Sequence, residues 1–208
     1  MNTIEQPSRP SSALLAAGRR WEYLGIAWTL IEAGAGIAAG VAAASIALLG
    51  FGADSVIEVA SGAILLWRLS NTEEGQAREK MALKLVGICF FLLAAYVLWE
   101  SGRALLTREA PAVSYFGIGF SALCLVVMPL LARAKRRIAV QIGSRALSAD
   151  SRQNSICAYL AAILLGGLVL NAVFGWWWAD PVAALAMLPI ILREGLEALR
   201  GEGCDCGR

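Results

Sequence analysis

The sequence predicts an all-α, polytopic membrane protein with six transmembrane helices and both termini cytoplasmic, and three observations predict it. Of 208 residues, 58% are hydrophobic and only 16% charged, against roughly 45 to 50% and about 25% in an average soluble chain. Apolar stretches long enough to cross about 30 Å of hydrocarbon recur along the chain, separated by short polar links. Lysines and arginines concentrate in alternate links, the asymmetry that orients such a chain in a bilayer.

The remaining composition narrows the chemistry. A formal net charge of +2 is too small to suggest nucleic-acid binding, and the basic residues cluster beside apolar spans, where lipid orientation explains them. Five cysteines, scattered along the chain, do not form a disulfide framework. There is no histidine. A metal site or a hydrolase would therefore be built from Asp, Glu, Cys and amides.

In chain order, residues 1–18 form a polar, proline-containing cytosolic tail without the charged-then-apolar plan of a signal peptide. Residues 19–200 are the six-helix transmembrane domain, and residues 201–208 a cytosolic cysteine-containing tail. The first span, about Trp21 to Ala42, carries Glu32 near its middle, and its Gly36 and Gly40 form a small-xxx-small spacing that suggests a dimer interface. The second runs from Ile46 to Arg68 and contains Asp54 and Glu58. After the polar link Ser70 to Lys80 comes a third span, Met81 to Leu105, and then a turn from Arg103 to Pro111.

The fourth span, Ala112 to Leu131, contains Pro129 and ends at the cluster Arg133, Lys135, Arg136, Arg137, a strong cytoplasmic marker. Ile138 to Leu147 reads as an amphipathic helix at the cytosolic interface, leading into a fifth span from Leu147 to Phe174. Trp176, Trp177 and Trp178 mark the opposite interface. Asp180 followed by Pro181 reads as the N-cap of a sixth span reaching Leu192, with Pro189 inside it. Both prolines are expected to kink their helices and widen a cytosolic cavity.

With both termini inside, only Arg103 and Arg108 face outward. Asp54 and Glu58 then lie roughly 12 to 18 Å below the outer surface, near the midplane. Their spacing of one turn puts both carboxylates on one face. Each costs at least about 2.5 to 3.5 kcal/mol in hydrocarbon, and two side by side repel, so a cation or exchangeable protons must compensate them. In the fifth span Asp150, Gln153, Asn154 and Cys157 fall at i, i+3, i+4 and i+7, one stripe. Facing stripes of oxygen and sulfur donors suit zinc, cadmium or cobalt better than magnesium or calcium.

Each feature has an ordinary alternative. Asp54 and Glu58 are either an ion site or a structural network with Arg68 or a serine. Cys157 is either a ligand or a small apolar filler, while Cys89 and Cys124 are packing. Asp150 either meets an arriving ion or marks a helix end. Glu32 either lies on a proton or ion access path or pairs with Arg152 or polar groups of another helix. Cys204 and Cys206 in GEGCDCGR either grip a soft metal or form an unremarkable reduced tail.

The runs GADSVIE in the second span, SADSRQNSIC in the fifth and WADPVAAL opening the sixth resemble the transmembrane domain of the cation diffusion facilitator family, over about Trp21 to Arg200. The resemblance implies a six-helix homodimer in the cell membrane (the cytoplasmic membrane in a bacterium) that exports a divalent metal, usually zinc, in exchange for protons. It implies no cofactor beyond the transported cation. The family's two second-helix acids fall on Asp54 and Glu58; its fifth-helix His and Asp fall on Gln153 and Cys157. Here the sequence departs, with Glu for Asp in the second helix and Gln and Cys for His and Asp in the fifth. Most relatives also continue into a cytosolic domain of ferredoxin-like topology, whereas this chain ends soon after the sixth helix and is read as lacking it.

At such a site metal and protons compete, and alternating access would turn an inward proton gradient into outward metal antiport. A membrane scaffold or metal-responsive interaction protein that kept the body but lost transport is the alternative. An enzyme is not expected, because no nucleophile lies beside a candidate base and no phosphate-binding glycine loop is present.

Overall fold

The computed structural model describes residues 12–70, 75–142 and 145–200. These form six helices: α1 Ser12–Ala43, α2 Ile46–Ser70, α3 Gly75–Thr107, α4 Tyr115–Ile142, α5 Arg145–Phe174 and α6 Ala179–Arg200. The all-helical architecture read from the sequence is therefore found. The stretches Ala16–Ala43, Lys84–Thr107, Tyr115–Gln141 and Asp150–Phe174, in α1, α3, α4 and α5, are each long and apolar enough to cross a membrane. Large apolar side chains such as Leu92, Trp99, Val126 and Tyr159 point outward, as expected where the surrounding solvent is hydrocarbon. The segments 1–11 and 201–208, with Cys204 and Cys206, lie outside the described residues, as does the side chain of Arg68.

Consecutive helices run in opposite directions, so the three links after α1, α3 and α5 gather at one end. There the Ala112 amide donates to the Ala43 carbonyl (2.9 Å) and the Asn171 side-chain amide to the Pro111 carbonyl (3.2 Å). The same end shows a repeated stop signal. Ala44, Arg108 and Gly175, one residue past α1, α3 and α5, have φ of 52°, 57° and 64°. In the first two the next amide reaches back five residues, Ser45 N to Gly40 O (3.0 Å) and Glu109 N to Ala104 O (3.2 Å), the hydrogen bond that closes a Schellman turn. The start of α1 and the end of α6 lie at the opposite end.

α2 is the central helix, packed against α1, α3, α5 and α6. It can sit so close to α1 because both lack side chains at the crossing. A Cβ on Gly36 would come 2.8 Å from the Gly52 Cα, and one on Gly40 would come 2.7 Å from the Leu49 amide nitrogen. This corrects the expectation for Gly36 and Gly40: their small-residue face receives α2 of the same chain, not a second copy.

Three further expectations change. α4 does not end near Leu131 but runs on to Ile142, so Ile138 to Leu147 is no separate interfacial helix; the stretch is divided between α4 and the start of α5. Its Ala, Lys, Arg and Ile residues offer no breaker, and Ala132, Lys135 and Ala139 continue the buried stripe of α4. α6 likewise passes Leu192, because Glu194, Gly195 and Ala198 extend its buried face. Gly195 there lies against α3, close to Gly87 and Phe90. Finally, Asp180 is inside α6 and caps α2 instead. Its carboxylate accepts from the Ser45 hydroxyl (2.5 Å), the Ile46 amide (2.8 Å) and the Ala47 amide (3.4 Å). Ser45 Oγ in turn accepts from the Leu48 amide (3.1 Å), so the N-terminus of α2 is satisfied by two side chains. α4 and α6 both continue as helix through Pro129 and Pro189.

Candidate metal-binding site

The glycine crossing that fixes α2 against α1 also turns Asp54 and Glu58 toward α5 and α6. Asp54 is 1% exposed, and Glu58 is half-buried. From α6, Glu194 reaches the same point: one carboxylate oxygen from each of Asp54, Glu58 and Glu194 lies within 4.8 Å of the others. From α5, the Gln153 amide nitrogen donates to Glu58 Oε1 (2.5 Å) and to Glu194 Oε1 (3.0 Å). One turn further along, the Cys157 thiol donates to Glu58 Oε1 (2.8 Å).

Among the described residues, no recorded ion pair reaches the three acids. Both oxygens of Asp54 and Glu194 Oε2 are buried without a hydrogen-bond partner. The ion pairs recorded among the described residues, Arg103 with Glu100 and Glu109, Lys135 with Glu22 and Asp150, and Arg193 with Glu197, leave all three acids out. Burying a carboxylate without a partner costs several kcal/mol on general grounds, at least about 2.5 for a charge in mid-membrane. The arrangement is suited to one small cation held by carboxylate oxygens, with the sulfur of Cys157 beside them.

Four residues expected at this point, Asp54, Glu58, Gln153 and Cys157, are brought together. Asn154 is buried, its amide nitrogen has no hydrogen-bond partner, and no hydrogen bond recorded among the described residues joins it to the acids. Asp150 is engaged away from the trio, with Lys135 of α4. Glu32 is fully buried on α1, where it accepts from the Trp28 indole (2.7 Å) and lies beside the Cys124 thiol. The residue the sequence reading missed is Glu194. Its signal was the face shared with Asp180, Ala184, Met187 and Ile191, all buried on α6, which continues at helical spacing past the apparent end of the apolar run.

Residues 23–202 match the cation efflux transmembrane domain. The chain belongs to that family. The resemblance read from GADSVIE, SADSRQNSIC and WADPVAAL is thereby borne out, and with four apolar crossing helices this cation efflux protein is a multi-pass membrane protein. Transmembrane protein 163 of Xenopus laevis is similar to it, 31% identical over 180 residues, which make up 85% of this chain and 64% of the relative. The chain thus matches somewhat less than two thirds of that relative's length. Within the cation efflux domain the three acids come from its second and sixth helices, and the thiol and amide from its fifth.

Proposed function

We propose that this protein transports a divalent transition-metal cation across the membrane, zinc first, with cadmium or cobalt as alternatives, in exchange for protons. The observation that carries the reading is Asp54: both its oxygens are buried without partners, beside two more carboxyls and a thiol, on the central helix of a cation efflux domain. Three carboxylates and a thiolate are a low-coordination set of mixed hardness, better matched to zinc or cadmium than to magnesium, which holds on to its water in octahedral geometry.

The exchange follows from charge balance. Binding a divalent ion requires the carboxyls and Cys157 to give up protons, and release of the ion lets protons take its place. In the metal-free state Gln153 holds Glu58 and Glu194 together through its two N–H groups. When metal takes those oxygens, the amide is free to turn and present its carbonyl. With the start of α1 and the end of α6 in the cytoplasm, rocking of the helices around a fixed midplane site would carry metal outward against entering protons. No chemistry on the cargo and no resident cofactor is involved.

The test is flux into liposomes containing the purified protein, a metal-sensitive dye and an imposed pH gradient. Zinc or cadmium movement that follows the gradient and is lost in Asp54→Asn is the expected result. Gradient-driven flux that survives Asp54→Asn would place the transport path elsewhere. Absence of flux for zinc, cadmium and cobalt would favour a non-transporting membrane scaffold.

A further inference from the structure

A second charged cluster lies nearer the end where the chain starts and finishes. Lys135 of α4 is 1% exposed, and its ammonium pairs with Asp150 of α5 and, at 3.5 Å, with Glu22 of α1. It lies directly across α1, so that a Cβ on Gly25 would come 2.3 Å from its Nζ. Three helices therefore close on one buried cation belonging to the protein. A buried ion pair is poor evidence for stability, since apolar side chains of similar size do as well or better. Its known use is to specify one arrangement out of two.

Its position gives that arrangement a meaning. Asp150 precedes Cys157 by two turns of α5, about 10 Å along the axis at ~1.5 Å per residue. Met128 and Leu131 of α4 pack with Cys157 and Ala158 of α5, joined by Trp21 and Trp28 of α1. The same three helices thus form an apolar plug packed around Cys157, with the Lys135 pair on its cytosolic side. Lys135 continues the α4 stripe of Cys124, Met128 and Leu131, so plug and latch move as one face.

We infer that Lys135, Asp150 and Glu22 latch the cytosolic side of the site shut, and that releasing the latch swings α5 so that access opens and Gln153 and Cys157 move relative to the acids. Lys135 is a positioning residue that acts through Asp150. The inference takes its purpose from the transport reading, but its structural content, which face the thiol of Cys157 can be reached from, stands on its own.

The experiment reads that access without requiring transport. In protein retaining Cys157 as its sole thiol, with Cys89, Cys124, Cys204 and Cys206 changed to Ala, a charged, membrane-impermeant methanethiosulfonate is applied to each face of oriented vesicles. Lys135→Met combined with Asp150→Asn, which removes the closer pair and leaves only the partly exposed Glu22 charged, should label about tenfold faster from the cytosolic face alone, the change that about 1.4 kcal/mol in an equilibrium produces. The exchanged pair, Lys135→Asp with Asp150→Lys, should return labelling toward the slow parental rate. An unchanged rate in the neutral pair, an equal rise from both faces, or an exchanged pair as fast as the neutral one would overturn the latch. If the neutral pair does not assemble, Glu22→Gln, which removes only the longer arm, decides in the same way: faster labelling from the cytosolic face supports the latch, and an unchanged rate rejects it. Zinc flux in the protein with its native cysteines is measured separately, so failure of transport and failure of the latch give different results.

Discussion

Glu194 is the residue whose removal should say most about the site. It lies on α6, Gln153 bridges it to Glu58, and one of its oxygens is buried without a partner. Glu194→Gln keeps the shape and removes one of three clustered charges. If Glu194 holds metal, the substitution should lower zinc affinity about tenfold to a hundredfold, the scale seen on disturbing metal-site partners, with little loss of thermal stability. Calorimetric titration in detergent tests this; an unchanged affinity would reduce Glu194 to a bystander. Cys157 separates soft from harder cargo. Cys157→Ser replaces a thiolate donor by a hydroxyl and should weaken cadmium binding more than zinc binding, because sulfur prefers the softer ion. The ratio of the two dissociation constants is the quantity to measure, since a general loosening of the bundle would leave it unchanged.

At the scale of the helix, capping decides how firmly α2 presents its acids. Asp180 accepts three hydrogen bonds at the start of α2, so Asp180→Ala strands buried donors and should cost about 2 kcal/mol, within the range for lost caps and unsatisfied buried groups. Ala44 makes the opposite case. It closes α1 with φ of 52°, a conformation that costs an L-residue roughly 1 to 2 kcal/mol, so Ala44→Gly should stabilise the protein by up to about 1 kcal/mol. Thermal unfolding in detergent should move down for the first substitution and up for the second.

Legibility differed along the chain for physical reasons. Two acids inside an apolar run are conspicuous, because hydrocarbon gives a charge no neutral explanation; hence Asp54 and Glu58 were visible, and the α5 stripe followed from helical spacing. Glu194 was not, because it sits where α6 is already mixed with Arg193 and Glu197, and hydropathy cannot separate an inward acid from a solvated one. Asp150 was placed with the metal because spacing gives a face but no partner. Among Arg133, Lys135, Arg136 and Arg137 only Lys135 continues the stripe Cys124, Met128, Leu131, and the basic cluster as a whole hid that one residue turned inward. Gly36 and Gly40 announced a close helix without saying whose.

For the molecule as a whole, the consequence of uncompensated acids is that stability and cargo are linked. α2, α5 and α6 meet at carboxyls that repel one another when ionised, and a divalent ion among them would replace repulsion with attraction across three helices. A ligand that binds only the folded state stabilises it by about 2.7 kcal/mol at a hundred times its dissociation constant. Zinc or cadmium should therefore raise the unfolding temperature in detergent, and Asp54→Asn should abolish the rise while leaving the metal-free protein as stable or more stable, since one buried charge has gone. The sign with pH follows from competition: protons occupy the same oxygens and sulfur, so the metal-induced rise should shrink as pH falls and the apparent affinity should weaken with it. Magnesium at the same concentration should do little. A rise of equal size with magnesium, or one that persists in Asp54→Asn, would mean that the ion stabilises the protein from somewhere other than these three acids.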